Sequence, residues 1–262
     1  MSLCIAAKGY DIVILCRDKS KGEQTATELM KINTAIHIET FVADLSDLAA
    51  VQKATKAIAT RYPVIDRLIN NAGYYPGVIE YVGDIERTFL ASHLGHALLT
   101  QGLMQSLKRS AEARIVNVSS SLHSQGSIAR FFKRTKGISL IQAYADAKLA
   151  NILFTKSLAK HLAPNVVTFA LHPGVVRSNF AKGTSGLFTV FINLFRPFFI
   201  SAEQGAATSV YLTDVDIQKV KPFTSQYFVD KKPKKVNHKD VTDQNAATLW
   251  DKSMEIITPY MN

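Results

Sequence analysis

Short apolar, β-branched runs alternate along the chain with segments whose apolar residues recur at helical spacing. Asp11–Leu15 (DIVIL) reads as a strand, Lys21–Lys31 as a helix, and Ile36–Val42 as a second strand. Ser46 or Asp47 caps a helix running towards Thr60, and Arg67–Ile69 is a third strand ending in Asn70-Asn71-Ala72-Gly73. The pattern continues with a long helix from Asp84 to Lys108, a strand at Arg114–Ser119, a helix at Gln142–Leu162 and a strand at Val166–Leu171. A helix at Ala202–Leu212, a short strand at Tyr227–Val229 and a helix at Ala246–Ile257 close it. Strands that are apolar throughout, alternating with helices, predict an α/β fold: a doubly wound parallel sheet covered on both faces. Ligands in such folds bind beyond the carboxyl ends of the strands. The polar clusters fall there: Cys16-Arg17-Asp18, Asp44, Asn70–Gly73, Ser119-Ser120 and His172-Pro173-Gly174.

Bulk composition changes this picture little. The 262 residues are 47% hydrophobic and 20% charged, which suits one globular domain over residues 1–262. The two cysteines, Cys4 and Cys16, suggest buried thiols in a reducing, cytoplasmic setting rather than a disulfide framework. The net charge of +10 is dispersed apart from Lys231-Lys232-Pro233-Lys234-Lys235, read as a solvated loop rather than a nucleic-acid or lipid patch. No secretory leader is visible at the start. Leu187–Ile200 is too short to span a bilayer and contains Arg196 and Pro197. With Phe188, Phe191, Phe195, Phe198 and Phe199, the region 179–200 is expected to form a substrate loop or a peripheral membrane contact at 187–200.

Tyr144 and Lys148 lie four apart at the start of a predicted helix, so they share a face. An ammonium beside a phenol favours phenolate, which lowers the tyrosine pKa and makes Tyr144 a candidate acid/base. The spacing alone is common. Ser120, ending a strand upstream, adds a hydroxyl able to polarise a carbonyl. His93, His96, His123 and His172 lack metal-ligand spacing, so no metal is expected.

Taken in order, Asn70-Asn71-Ala72-Gly73, IVNVSS at 115–120, Tyr144-x-x-x-Lys148 and His172-Pro173-Gly174-Val175-Val176 resemble the short-chain dehydrogenase/reductase family. Cys16-Arg17-Asp18, His93-Leu94-Gly95-His96, Lys148-Leu149-Ala150-Asn151 and Tyr227-Phe228-Val229-Asp230 resemble its retinol-dehydrogenase-like branch. The resemblance runs from about residue 3 to the C-terminus and implies a Rossmann-like, NAD(P)-binding domain. It also implies roles. Tyr144 exchanges a proton with the substrate oxygen, Lys148 lowers its pKa and holds the nicotinamide ribose, and Ser120 orients the substrate oxygen. Asp44 and Leu45 meet the adenine. The main chain of Asn70, Ala72 and Gly73 lines the adenosine side, with Asn71 bracing the sheet. Val176 and Ser178, the latter where the family usually has Thr, address the carboxamide and phosphates. The implied substrate is a small apolar alcohol or its aldehyde or ketone, and a homodimer is common among relatives. NAD-binding members carry a carboxylate at the end of the strand DIVIL, where this chain has Cys16 followed by Arg17. A cation there suits the extra phosphate of NADP.

Two departures stand out. The family opens with a strand and a glycine-rich turn; this chain opens inside the following helix, at Ser2–Ala7, with Gly9 as its C-cap. The first strand is thus missing from the expected fold, and the pyrophosphate loses its main-chain amides. Either the neighbouring strands close together or the fold is damaged; a start codon assigned too late is the expected explanation. The second departure is Ser92, where the family usually has an Asn that holds a helix kink and a relay water. These departures leave open a second reading, a non-catalytic homologue kept as a binding or scaffold protein. A third is a peripheral membrane or nucleic-acid binder using Lys231–Lys235.

Overall fold

A computed structural model of the chain describes residues 1–73, 75, 77–174 and 201–261. The short helix α1 (Ser2–Ala6) ends at Gly9, whose φ of +84° takes the left-handed turn that favours glycine. β1 (Ile12–Cys16), α2 (Lys19–Ile32), β2 (Ile38–Val42), α3 (Leu48–Arg61) and β3 (Arg67–Asn70) follow. Asp18 and Asp47 start α2 and α3 by accepting from Lys21 N and Ala50 N. Of the two caps the sequence offered for α3, the structure uses Asp47.

The segment expected as one helix from Asp84 to Lys108 is broken. A small hairpin, β4 (Tyr81–Val82) and β5 (Ile85–Glu86), precedes it. Glu86 then caps α4 (Arg87–Phe89), accepting from Thr88 N and Phe89 N. A π-helical turn, Leu90–Leu94, interrupts the run before α5 (Gly95–Gly102) and α6 (Met104–Lys108). The remaining elements are β6 (Ala113–Val118), α7 (Leu140–Leu158), β7 (Val166–His172), α8 (Ala202–Asp214), α9 (Ile217–Val220), β8 (Tyr227–Val229), β9 (Lys232–Lys234) and α10 (Asp243–Ile257). The Lys231–Lys235 run is therefore no simple loop. Asp230 and Lys231 turn with positive φ, and β9 pairs antiparallel with β8, presenting exposed lysines along the sheet edge.

The strands form a parallel pair, β1–β2, and a five-stranded sheet ordered β3-β6-β7-β8-β9, parallel except for β9. Among the described residues no backbone hydrogen bond joins β1 to β3, so the neighbouring strands have not closed on each other. The contact between the two parts includes side chains. Lys8 Nζ lies 2.7 Å from Asp214 Oδ2 and Tyr10 donates to Asp214 Oδ1 at 3.1 Å, tying the β1 entrance to the end of α8.

Both faces of the larger sheet are covered, as the period-2 alternation of its strands demands. Ile115 and Val166 face a core built with Leu94, Leu98, Leu149, Leu153 and Leu249, from the π-turn, α5, α7 and α10. Val116, Val118, Phe169 and Leu171 face the opposite core with Leu212 and Val220, from α8 and α9. No helix among the described residues is long and apolar enough to cross a membrane.

Candidate active site

The carboxyl end of β6 and the first turns of α7 bring Ser120, Tyr144 and Lys148 together. The helix starts where Ser139 and Gln142 form a reciprocal capping box, which fixes the phase that turns both Tyr144 and Lys148 inward. The helix is anchored to the strand by Ser119, whose hydroxyl donates to Lys148 O at 2.7 Å. Ser120 caps the 3-10 turn Ser121–Gln125; its Oγ accepts from Leu122 N at 3.2 Å. The Ser120 side chain lies beside the Tyr144 phenol and favours its charged form.

Lys148 and Tyr144 share a face as the spacing predicts, but the ammonium does not address the phenol oxygen. Its Nζ donates to Val118 O at 3.0 Å and sits 5.5 Å from the Tyr144 ring centroid. Tyr144 is 6% exposed, and burial pushes its pKa up to about 12, against the influence of the neighbouring Ser120. The expected lowering of the phenol by Lys148 is thus corrected: removal from water decides the direction. Burial also pushes Lys148 down to about 8.

Several supports were not legible in the sequence. Tyr75 packs its ring 5.6 Å from Tyr144 and is itself buried. Asn151, one turn after Lys148, donates to the same Val118 carbonyl at 3.2 Å. Asp146 accepts from Arg130 at 2.7 Å and from Ser127 N at 2.8 Å, fastening the segment after Ser120 onto α7. Ser92 lies buried in the π-turn, and its carbonyl accepts from His96 Nδ1 at 3.1 Å. The helix irregularity therefore persists with Ser in place of Asn.

At the ends of β1, β2 and β3 a cavity of about 220 Å³ is lined by residues that include Cys16, Arg17, Asp44, Leu45, Ala72, Gly73 and Ser92. Five predicted cofactor contacts, Arg17, Asp44, Leu45, Ala72 and Gly73, thus meet at one place. Asp44 accepts from Ser46 N at 2.8 Å and Ser46 Oγ at 2.7 Å. Burial pushes its carboxyl up, but Ser46, Arg17 and Arg87 outweigh it, so the net shift is downward. Arg87, which the sequence did not single out, also lines the cavity and bridges Asp44 at 3.5 Å and Glu80 at 2.6 Å. Gly95 makes the close approach that forms the wall: a Cβ there would meet Leu45 O at 2.3 Å.

The bracing of the sheet expected of Asn71 falls to Asn70. Asn70 is buried, and its side chain braces the sheet, donating to Thr100 Oγ1 at 3.0 Å and Asn117 Oδ1 at 2.8 Å. Asn71 is exposed. Asn70 is the last residue of β3, in register with Asn117 on β6, which puts its side chain in the same layer; Asn71 lies beyond the strand. Val176, Ser178 and the 179–200 region lie outside the described residues.

The donor set would suit the adenosine half of a dinucleotide: the cavity offers an exposed cation, Arg17, beside Cys16 and the Asp44 carboxylate. Tyr144 and Lys148 stand by the carboxyl end of β6. No glycine-rich strand-to-helix turn occurs among the described residues to present main-chain amides to a pyrophosphate.

The sequence model of the short chain dehydrogenase family matches residues 1–185. Human retinol dehydrogenase 12 is 36% identical over 256 residues, spanning 97% of this chain and 80% of that protein. A solved protein from Mycobacterium paratuberculosis superimposes with a TM-score of 0.75 at 26% identity, covering 98% of this chain and 87% of its own. A short chain dehydrogenase from Shigella flexneri, complexed with NADP, superimposes with a TM-score of 0.66 at 20% identity over 87% of this chain and 89% of its own, a likeness of fold alone.

Proposed function

The chain belongs to the short chain dehydrogenase family, in its retinol-dehydrogenase-like branch, as an oxidoreductase acting on CH–OH groups, and on that footing we propose that it interconverts an apolar alcohol and its carbonyl with NADP. The observation that carries the reading is the placing of the Ser120 side chain beside the buried Tyr144 phenol, with Lys148 one turn along the same helix. A substrate oxygen placed between these two hydroxyls would meet an aligner and a proton donor at once. The high pKa keeps Tyr144 protonated at neutral pH, the form that gives its proton to a carbonyl oxygen. Ser120, held by Leu122 N–H, aims its own hydroxyl at the same point. Lys148, fixed by Val118 O, presents its remaining donors to a ribose.

NADP, when bound, supplies or accepts the hydride; the chain supplies placement and the proton. Arg17, Asp44, Leu45, Ala72 and Gly73 would hold its adenosine half, Tyr144 and Lys148 its nicotinamide ribose, and Val176 and Ser178 its carboxamide. Arg17 and the absence of a carboxylate at Cys16 support NADP over NAD. The retinol dehydrogenase relatives support a retinoid-like, apolar substrate.

One observation favours a second reading, a non-catalytic homologue kept as a binding or scaffold protein: among the described residues β1 and β3 are not paired with each other. Titration with NADPH and NADH, followed by turnover of an apolar alcohol or aldehyde, separates the readings. Micromolar NADPH binding with turnover supports the enzyme, and failure of both cofactors to bind supports the alternative.

A further inference from the structure

Ser120 owes its position to more than its cap. The peptide unit joining Ser120 to Ser121 is gripped at both ends by imidazoles. Its carbonyl, Ser120 O, lies 2.5 Å from His123 Nδ1, and its N–H, Ser121 N, lies 3.2 Å from His172 Nδ1. The two rings come from different elements, His123 from the turn after β6 and His172 from the last residue of β7.

The chemistry of the partners fixes opposite tautomers. A carbonyl only accepts, so His123 must carry its hydrogen on Nδ1. A peptide N–H only donates, so His172 must keep a bare Nδ1 and carry its hydrogen on Nε2. With both bonds made, the peptide plane cannot rotate. The ψ of Ser120 stays at 157°, and the Leu122 N–H that holds Ser120 Oγ stays in register.

We propose that His123 and His172 are positioning residues that clamp the Ser120–Ser121 peptide, and that protonation of His172 opens the clamp and turns Ser120 away from Tyr144. The consequence for turnover rests on the proposed proton-transfer role of Ser120 and Tyr144; the clamp itself does not. A proton on His172 Nδ1 removes the lone pair that Ser121 N–H uses and sets donor against donor. His123 responds differently, because its Nδ1 hydrogen is kept when the ring is charged.

The surroundings set where this happens. Burial lowers the His172 pKa, the neighbouring His123 and Lys234 lower it further, and Asp230 opposes them. His123 is lowered by burial and by His238, against its bond to Ser120 O, and stacks edge-on with Tyr227 at 5.3 Å. The clamp is therefore closed at neutral pH and opens on the acid side of the usual histidine range.

Nitrogen-15 spectra of the full chain test the clamp without any turnover. At pH 8 they should show His172 protonated on Nε2 and His123 on Nδ1. The Ser121 amide should shift on acidification with the same midpoint as His172. The reverse tautomers, or a Ser121 amide that ignores the His172 titration, would overturn the proposal. Two variants then test its consequence. His172→Asn places a non-titrating acceptor oxygen near the Nδ1 position and should keep neutral-pH turnover while losing one acid limb of the kcat profile. His172→Ala should lose turnover on the order of 10- to 100-fold at every pH, chiefly in kcat. Unchanged kcat in His172→Ala, or an unchanged acid limb in His172→Asn, removes the positioning role. Because the spectra stand alone, a chain that turns over no substrate refutes the proposed function and leaves the clamp decided.

Discussion

Lys148 directs its ammonium at Val118: Nζ donates to the strand carbonyl at 3.0 Å from a site that is 1% exposed, with no carboxylate partner among the described residues. A charge so placed costs stability. The fall from 10.5 to about 8 corresponds to roughly 3 kcal/mol at neutral pH. Lys148→Met should therefore raise the unfolding free energy by about 1–3 kcal/mol, net of one lost hydrogen bond. It should also remove turnover. A urea titration beside an activity assay checks both; a variant that is less stable than the parent would show the ammonium to be structural.

Tyr144→Phe removes the hydroxyl beside Ser120 and leaves the packing against Tyr75. Turnover is expected to fall roughly 10²- to 10⁴-fold with cofactor affinity changed much less. Stability should drop by only about 1 kcal/mol. Steady-state kinetics with a parallel binding titration separate these effects.

His93 and His96 are fully enclosed, and burial pushes them down to about 3 and about 4 from 6.5. Each stays neutral in the folded chain while the unfolded chain takes up a proton. Their stabilisation is complete above pH 6.5 and is lost as the pH falls towards 4. At pH 5 the loss is about 2 kcal/mol for each ring. Burial raises the carboxyls of Glu86 and Asp146, which drift the opposite way, so a difference measurement is needed. The pH slope of stability between 6.5 and 5 should shrink by nearly one proton in His96→Gln relative to the parent.

Arg17 is exposed at the cavity edge, next to a Cys16 that carries no carboxylate. Arg17→Ala should weaken NADPH binding by about tenfold, or ~1.4 kcal/mol, and NADH binding by less than about twofold. Equal loss for both cofactors, read by fluorescence titration, would remove Arg17 from the discrimination.

Gly95→Ala drives a methyl into the Leu45 carbonyl. The cavity wall must shift, so stability should fall by about 1–3 kcal/mol and NADPH affinity should fall with it. Thermal unfolding with and without NADPH reads both.

Much of this arrangement is legible in the chain itself, for physical reasons. Fully buried strands such as β6 and β7 leave an apolar signature that no other element shares, and their ends point to Ser120 and His172. The i,i+4 geometry of Tyr144 and Lys148 follows from helix pitch alone. What spacing does not carry is the direction in which a long side chain turns. Lys148 reaches back to Val118 O instead of the phenol, and burial is left to set the direction of the Tyr144 pKa. Asn70 ends β3 and Asn71 follows it directly, so in sequence a brace and an exposed residue look alike. The break at Leu90–Leu94 is hidden because its residues keep an apolar helical pattern while the backbone loosens by one hydrogen-bond step. Arg87 and Tyr75 join the sites through tertiary packing, for which their neighbours in sequence give no sign.

The division of the strands into a pair and a five-stranded sheet has a mechanical consequence. Arg17, Asp44 and Leu45 ride with the pair, whereas Ser120, Tyr144 and Lys148 ride with the larger sheet. A dinucleotide holding both sets would act as a splint across the seam, stiffening the joint now bridged by Lys8 and Tyr10 at Asp214. Such a ligand's affinity and the alignment of the reacting groups would then be one quantity, and saturation at a hundred times Kd would add about 2.7 kcal/mol to the stability of the aligned form.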